Sequence, residues 1–208
     1  MYLDEYITAH SEPEPDYLQQ ISRRTHLRMI NPRMMSDYVQ GRLLVMFTHM
    51  VQPQRVLEIG TYSGYSALCI AEALPPKGII HTIERDDELE DFIRENFSLS
   101  TLSEKIILHI GDALDEIQKI DETFDLVFID ADKREYSAYY QIVLPKVRSG
   151  GFILADNTLW DGKILENPHS GDKQTKMLLK FNKMIANDKR IEKIILPIRD
   201  GLTVMRKR

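Results

Sequence analysis

The sequence predicts a doubly wound α/β fold, and three observations support this prediction. Short apolar runs alternate with segments of helical periodicity through the middle of the chain, as in repeated β-α-β units. These runs are almost continuously apolar, which is typical of strands buried on both faces of a parallel sheet. The last two runs are joined by a tight turn, which predicts an antiparallel hairpin at the end of a Rossmann-like sheet.

The composition is that of an ordinary globular domain. The 208 residues suffice for one domain over 1–208, which we divide into a helical cap over 1–53 and an α/β core over 54–208. The net charge of -5 disfavours non-specific binding to nucleic acid. The single cysteine, Cys69, excludes an internal disulfide and favours a cytoplasmic location. Since no apolar run approaches about 18 residues, we expect no membrane span.

Helices are expected before the first strand. Helical patterns cover about 16–30 and about 37–50. Prolines at positions 13 and 15 precede the first of these helices, Asn31-Pro32 separates the two, and Pro53 follows the second. These helices form the predicted cap.

Strands and helices alternate after Pro53. The predicted strands cover 55–59, 78–83, 105–110, 124–129 and 152–155, and the predicted helices between them cover about 64–74, 87–99, 114–120 and 136–147. We expect Gly150-Gly151 to close the last of these helices. A polar loop over 161–172 and a helix over about 173–187 then lead to strands over 191–197 and 202–206, with a tight turn at 199–201 between them.

Glycines and acidic residues follow the first three predicted strands, at the sheet edge where ligands of such folds bind. Gly60 and Gly64 allow the backbone to approach a ligand closely, but their spacing lacks the third glycine of a dinucleotide fingerprint. Glu84 ends the second strand, where a carboxylate can accept hydrogen bonds from both ribose hydroxyls. Residues 111–113 follow the third strand and are placed to bracket an adenine amino group.

The charge of this predicted pocket favours S-adenosylmethionine over NAD. Four acids fall in it, namely Glu58, Glu84, Asp112 and Asp130. They would repel a pyrophosphate but tolerate a sulfonium cation that carries an α-amino group. A nicotinamide-dependent dehydrogenase is therefore disfavoured.

Oxygen-bearing side chains follow the fourth and fifth predicted strands. Asp130 comes after one strand, and Asp156 and Asn157 come after the next. Two carboxylates and an amide oxygen suit Mg²⁺, with Mn²⁺ or Ca²⁺ as alternatives, and a catechol can supply two further oxygens. Lys133 follows Asp130 by three residues. Close to a divalent cation, we expect the pKa of Lys133 to fall and its amine to act as a general base.

From about Met34 to its end, the chain resembles the class I S-adenosylmethionine-dependent O-methyltransferases of the caffeoyl-CoA and catechol O-methyltransferase type. The resemblance is carried by the segments VLEIGTYSGYSAL, TIERD, GDALD, FDLVFIDADK, GGFILADNTLWDG and LPIRDGLTVMRK. It implies a seven-stranded sheet with the last strand antiparallel. It also implies a transferase that is commonly a homodimer.

The resemblance also implies roles for single residues. It implies a divalent-metal site formed by Asp130, Asp156 and Asn157, with Lys133 as the catalytic lysine. It places Glu58 and Ser66 at the methionine end of the cofactor. The full set of cofactor contacts predicted from the residues and the resemblance is Met35, Glu58, Gly60, Ser66, Glu84, Asp112, Ala113 and Asp130.

Several alternatives stay open at this point. The predicted acceptor is a small hydroxylated aromatic molecule of the catechol type, and the alternative is a hydroxylated uridine of tRNA, which would need a basic surface near the pocket. A cofactor-binding protein without catalysis is a more remote alternative. Arg199 departs from the more neutral turn of the family, so it is a substrate contact, a dimer contact or a surface residue. Residues 161–172 are a mobile lid or an ordinary connection.

Overall fold

The structure, a computed structural model, describes residues 3–208. Within these residues, seven strands form one sheet in the order β3-β2-β1-β4-β5-β7-β6. The strands are β1 (Arg55–Ile59), β2 (Ile79–Glu84), β3 (Ile106–Ile110), β4 (Phe124–Ile129), β5 (Val147–Ala155), β6 (Ile191–Leu196) and β7 (Leu202–Lys207). The helices are α1 (Leu3–Ala9), α2 (Asp16–Arg28), α3 (Tyr38–Val51), α4 (Tyr65–Ala73), α5 (Glu90–Phe97), α6 (Ala113–Lys119), α7 (Tyr136–Lys146) and α8 (Lys173–Asn187).

The strand directions confirm the predicted topology. β1 to β5 pair in parallel, whereas β7 pairs antiparallel with both β5 and β6. β1 lies between β2 and β4, with Ile59 in register with both Ile83 and Ile129. The chain thus winds outward from β1 in one direction and returns to β4 on its other side. A crevice opens at such a switch point, outside the carboxyl ends of the strands.

Both faces of the sheet are covered by helices. The cluster on one face combines α2 to α5 with strand residues such as Val56 and Leu126. The cluster on the other face combines α6, α7 and α8 with neighbouring strand residues such as Leu57 and Val127. Because successive strand residues point to opposite faces, a strand buried on both sides reads as one continuous apolar run. Cys69 is fully buried in α4.

The start of β5 differs from the predicted start. The strand begins at Val147, immediately after α7, so Gly150-Gly151 lies inside the strand and does not close the helix. A Cβ at Gly151 would stand 2.7 Å from Cγ1 of Val147 and 3.0 Å from the carbonyl oxygen of Asp125. The glycine is therefore required by close packing beside an irregularity in the β4–β5 register.

Two other regions differ in detail from the predicted secondary structure. The predicted helix over 87–99 begins as a short 3-10 helix, Asp87–Leu89, before α5. The predicted loop over 161–172 starts with a 3-10 helix, Trp160–Leu165. No helix within residues 3–208 combines the length and the hydrophobicity that crossing a membrane requires.

Candidate active site

A cavity of about 860 Å³ lies at the carboxyl ends of the parallel strands. Its walls come from the ends of β1, β2, β4 and β5, the segment before α3 and the β6–β7 turn. Nine of the predicted site residues line it, namely Met35, Gly60, Ser66, Glu84, Ala113, Asp130, Lys133, Asp156 and Asn157. Two predicted cofactor contacts, Glu58 and Asp112, do not appear in the lining.

Gly60 lets the end of β1 approach the end of β4. Its φ is 100°, and a Cβ at this position would stand 2.0 Å from the carbonyl oxygen of Asp130. The amide of Asp130 in turn donates to the carbonyl oxygen of Ile59 at 2.9 Å. A side chain at residue 60 would therefore displace Asp130, which explains the glycine in physical terms.

The carboxylate of Glu84 is held by the backbone around it. Oε2 accepts a hydrogen bond from the amide of Tyr62 at 2.7 Å. Oε1 accepts from the amides of Arg85 at 2.9 Å and Asp86 at 3.0 Å. An ionised carboxylate has about four lone-pair sites and three are used here, so about one acceptor site remains for a ligand hydroxyl. Glu84 thus presents a fixed acceptor to the cavity.

Glu58 lies directly behind the cavity wall. Its side chain is fully buried, and Oε2 accepts from the hydroxyl of Thr82 at 2.5 Å. Burial raises the pKa of Glu58 to about 8, against the opposing hydrogen bonds of Ser66 and Thr82. Oε1 is buried without a hydrogen-bond partner among the described residues. Since an unsatisfied buried acceptor is costly, the residues fit a ligand that brings a donor to this point.

Asp112 serves the backbone. Its Oδ1 accepts from the amide of Leu114 at 2.9 Å and caps α6, while Oδ2 lies 4.0 Å from Nε of Arg85. Its neighbours Gly111 and Ala113 line the cavity. The end of β3 therefore contributes Gly111 and Ala113 to the cavity wall.

Asp130 and Asp156 follow adjacent strands at one rim, since Ile129 of β4 is in register with Ala155 of β5. Asp156 is 2% exposed. Burial raises the pKa of Asp156 to about 6, and the charge of Asp130 raises it further against the opposing effects of Gln40 and Lys133. A buried carboxylate whose ionisation is disfavoured by burial and by a neighbouring carboxylate suits a cation beside it.

Asn157 completes the predicted oxygen-donor set beside Asp156. It lies in the cavity lining and adopts the left-handed region, with φ of 55°. Among the residues that the structure describes, no group of three or more His, Cys, Asp and Glu side chains is arranged to hold a metal ion. The donor set here is two carboxylates and one amide, which is the chemistry of a hard cation.

Lys133 is buried beside Asp130. Its Nζ donates to Oδ1 of Asp130 at 2.9 Å and to the hydroxyl of Tyr136 at 2.8 Å. Burial lowers the pKa of Lys133, but the charge of Asp130 and the contact with Tyr136 outweigh it, so the net shift is upward. In the protein alone the nearest charge to the ammonium is a carboxylate, which explains the upward shift. The fall in the pKa of Lys133 beside a bound divalent cation stays a prediction.

Sequence reasoning missed one residue of the site and left another undecided. Gln40, in the first turn of α3, is 2% exposed and donates from Nε2 to Oδ2 of Asp156 at 2.7 Å. Its Oε1 accepts from Nη1 of Arg199, which also lines the cavity. Gln40 could have been found from the sequence because it is a polar residue on the apolar face of α3.

Comparison with known proteins gives consistent results. A family model described as O-methyltransferase matches residues 8–208. Caffeoyl-CoA O-methyltransferase 1 of Arabidopsis thaliana is 36% identical, with 81% of this chain and 69% of the relative covered. A catechol O-methyltransferase of Niastella koreensis is 33% identical, with 76% and 72% covered.

Solved structures agree in fold. The O-methyltransferase from Bacillus cereus in complex with SAH superposes with a TM-score of 0.93 at 27% identity, with 99% of this chain and 97% of that chain covered. A Podospora anserina methyltransferase with SAH bound gives a TM-score of 0.91 at 29% identity, with 99% and 94% covered.

Proposed function

This chain belongs to the O-methyltransferase family and is an S-adenosylmethionine-dependent O-methyltransferase, and we propose that it methylates a hydroxyl of a small catechol-like acceptor with the help of a divalent cation. The observation that carries the proposal is the shared cavity. Gly60 and Glu84 line one part of it, Asp156 and Asn157 line another, and Asp130 lies between them at the end of β4. A methyl donor and a hydroxyl acceptor can therefore meet in one cavity.

The cofactor is assigned to the β1, β2 and β3 ends of the cavity. Glu84 accepts a hydrogen bond from the ribose, and the segment at Asp112 and Ala113 contacts the adenine. The amino group of the methionine part donates to the buried Oε1 of Glu58, which otherwise has no partner among the described residues. Ser66 and Met35 complete this contact set, and the SAH complexes of the structural relatives support it.

The divalent cation is assigned to Asp130, Asp156 and Asn157. The oxygen-only donors favour Mg²⁺, with Mn²⁺ or Ca²⁺ as alternatives. Burial and the charge of Asp130 raise the pKa of Asp156. A positive charge beside Asp156 would stabilise its ionised form, which supports a cation at this point. When bound, such a cation would lower the pKa of an acceptor hydroxyl.

Lys133 is proposed as the base that receives the hydroxyl proton. The acceptor oxygen forms a bond to the methyl carbon while the carbon–sulfur bond breaks, and the product is a methyl ether with neutral S-adenosylhomocysteine. Since Asp130 and Tyr136 raise the pKa of Lys133, its amine becomes a base only where the charge of Asp130 is compensated. The main catalytic contribution is alignment of the oxygen with the methyl group.

The charge of the cavity supports a small acceptor over tRNA. Its lining holds six cationic and seven acidic side chains, which is a poor surface for a polyanion. Trp160 lines the acceptor side and offers an aromatic face. A hydroxylated uridine of tRNA therefore remains the second candidate.

We also propose a cytoplasmic homodimer. Met46 and Met50 of α3 are 61% and 78% exposed, and such large apolar side chains on one helix support burial against a second copy. The cytoplasmic location is supported by a cysteine content that leaves no internal disulfide.

The test is methyl transfer from labelled S-adenosylmethionine to a catechol panel. Activity should disappear with EDTA and return with Mg²⁺. Asp156→Ala should abolish the metal response, whereas Asp121→Ala, an exposed acid outside the cavity lining, should keep it. Calorimetry should detect binding of S-adenosylmethionine and none of NAD. Full activity in EDTA would refute the metal, and label found mainly in the RNA fraction of an extract would favour the tRNA acceptor.

A further inference from the structure

A hydrogen-bonded relay connects the β6–β7 turn to the end of β5. We propose that Arg199 and Gln40 are positioning residues that fix the orientation of the Asp156 carboxylate. The inference rests on the proposed function in one respect, since it takes Asp156 as a ligand of the divalent cation. It assigns to both residues a role that acts through Asp156.

The relay runs from Asp156 through Gln40 and Arg199 to Asp37. Gln40 Nε2 donates to Asp156 Oδ2 at 2.7 Å, and Arg199 Nη1 donates to Gln40 Oε1. Arg199 Nε lies 3.2 Å from Asp37 Oδ2. Asp37 Oδ1 accepts from the amide of Gln40 at 2.9 Å and caps α3. Asp37 therefore fixes both the guanidinium and the backbone of the glutamine that the guanidinium contacts.

The chemistry of the relay leaves one orientation for the glutamine amide. A guanidinium has donors and no acceptor, so the group that faces Arg199 must be the amide oxygen. The amide NH₂ then faces Asp156, whose ionised carboxylate has acceptors and no donor. Arg199 and Asp156 thus favour the same orientation of the amide, and Arg199 fixes its oxygen from the side opposite to Asp156.

Gln40 in turn restricts Asp156. Both side chains are 2% exposed, so water does not replace a lost hydrogen bond easily. A carboxylate held at one oxygen is hindered from rotating about its Cβ–Cγ bond. Partners of this kind, which orient a ligand without touching the metal, change metal affinity by about 10- to 100-fold when they are removed.

The backbone of Arg199 adds an independent observation. Its φ is 48°, in the left-handed region that favours glycine. A strained residue persists only where its surroundings hold it in place, and such residues cluster at functional sites. The contacts to Asp37 and Gln40 hold Arg199 here together with the backbone hydrogen bonds of the turn.

The test is the dissociation constant for Mn²⁺, measured by calorimetry or electron paramagnetic resonance on the full chain without acceptor. Gln40→Leu should raise it by about 10- to 100-fold. Arg199→Gly, which also relieves the positive φ, should raise it as well. Because Arg199 acts through Gln40, the double variant should bind Mn²⁺ no more weakly than Gln40→Leu alone. The dissociation constant for S-adenosylmethionine should stay unchanged.

The matched control is Thr48→Val in the same helix. Thr48 is fully buried and donates to the carbonyl oxygen of Leu44 at 2.8 Å, so this variant also loses a buried hydrogen bond. It should keep the wild-type Mn²⁺ affinity. Unchanged affinity in Gln40→Leu, or effects of the two variants that multiply, would overturn the relay alone. A wild-type protein that binds no Mn²⁺ would overturn the proposed metal site and the relay together.

Discussion

Replacing Gly60 by alanine should damage the fold and the site together. In the structure, a Cβ at Gly60 would stand 2.0 Å from the carbonyl oxygen of Asp130 and 2.8 Å from its carbonyl carbon. Cβ atoms do not approach other atoms within 3.0 Å, so the Asp130 carbonyl must move by about 1 Å. Both contacts are to backbone, which cannot rotate away as a flexible side chain can.

The magnitude has two parts. An L-residue in the left-handed region costs about 1–2 kcal/mol. Forcing an extra carbon into packed structure costs about 1–3 kcal/mol more. The free energy of unfolding should therefore fall by about 2–5 kcal/mol, a large part of the about 5–15 kcal/mol of an ordinary domain. A displacement of about 1 Å at reacting groups can reduce the rate about 100-fold, and methyl transfer should fall by that order.

Gly162→Ala separates the two parts. Gly162 has φ of 76°, and a Cβ there meets nothing within 4 Å. This variant should lose only about 1–2 kcal/mol and keep its activity. Urea denaturation followed by circular dichroism, together with the initial rate of methyl transfer, measures both quantities. If Gly60→Ala lost no more stability than Gly162→Ala, the close approach of β1 to Asp130 would be refuted.

Three further outcomes are expected. Lys133→Ala should reduce turnover by about 10²- to 10⁴-fold with S-adenosylmethionine affinity unchanged, and a variant that turned over at the full rate would exclude Lys133 as the base. Glu84→Gln should weaken S-adenosylmethionine binding by about 10- to 100-fold in calorimetry, since hydrogen bonds to a charged group contribute about 1.5–3 kcal/mol. His81 Nδ1 lies 3.0 Å from His109 Nε2, and burial lowers the pKa of both rings. The unfolded chain then binds more protons than the folded chain, so stability should fall as the pH drops below about 6.5, and His109→Gln should flatten this dependence in thermal melts.

The histidine prediction has its own control and contradiction. His49 is exposed near the end of α3, so His49→Gln should leave the pH dependence unchanged. If the stability of His109→Gln fell with decreasing pH as steeply as that of the wild type, the acid sensitivity would arise from groups other than this histidine pair.

The apolar pattern predicted most of the sheet. The bounds of β1, β4 and α8 are those expected, because each element is a clean apolar or amphipathic segment between turn residues. The start of β5 was missed because Arg148 and Ser149 are polar and exposed where the strand extends to Val147. Its pairing with β4 at that end depends on a partner 23 residues away, which a local pattern does not contain.

The site was predictable where residues follow strand ends and unpredictable where distant residues meet. Asp130 and Asp156 could be placed together from strand order alone. Gln40 and Arg199 are 159 residues apart, and their contact depends on how α3 and the β6–β7 turn come together. The direction of the Lys133 pKa shift depends on the balance between burial and Asp130, which a sequence does not express.

The position of β7 has a consequence for how the crevice is held together. β6 joins the sheet through β7, and the turn between them carries Arg199. Within the described residues, β7 pairs with both β5 and β6, and β6 pairs with β7 alone. Loss of the β5–β7 pairing would therefore detach the whole hairpin and withdraw Arg199 from the crevice, while the pairing of β1 with β2 and β4 stayed in place.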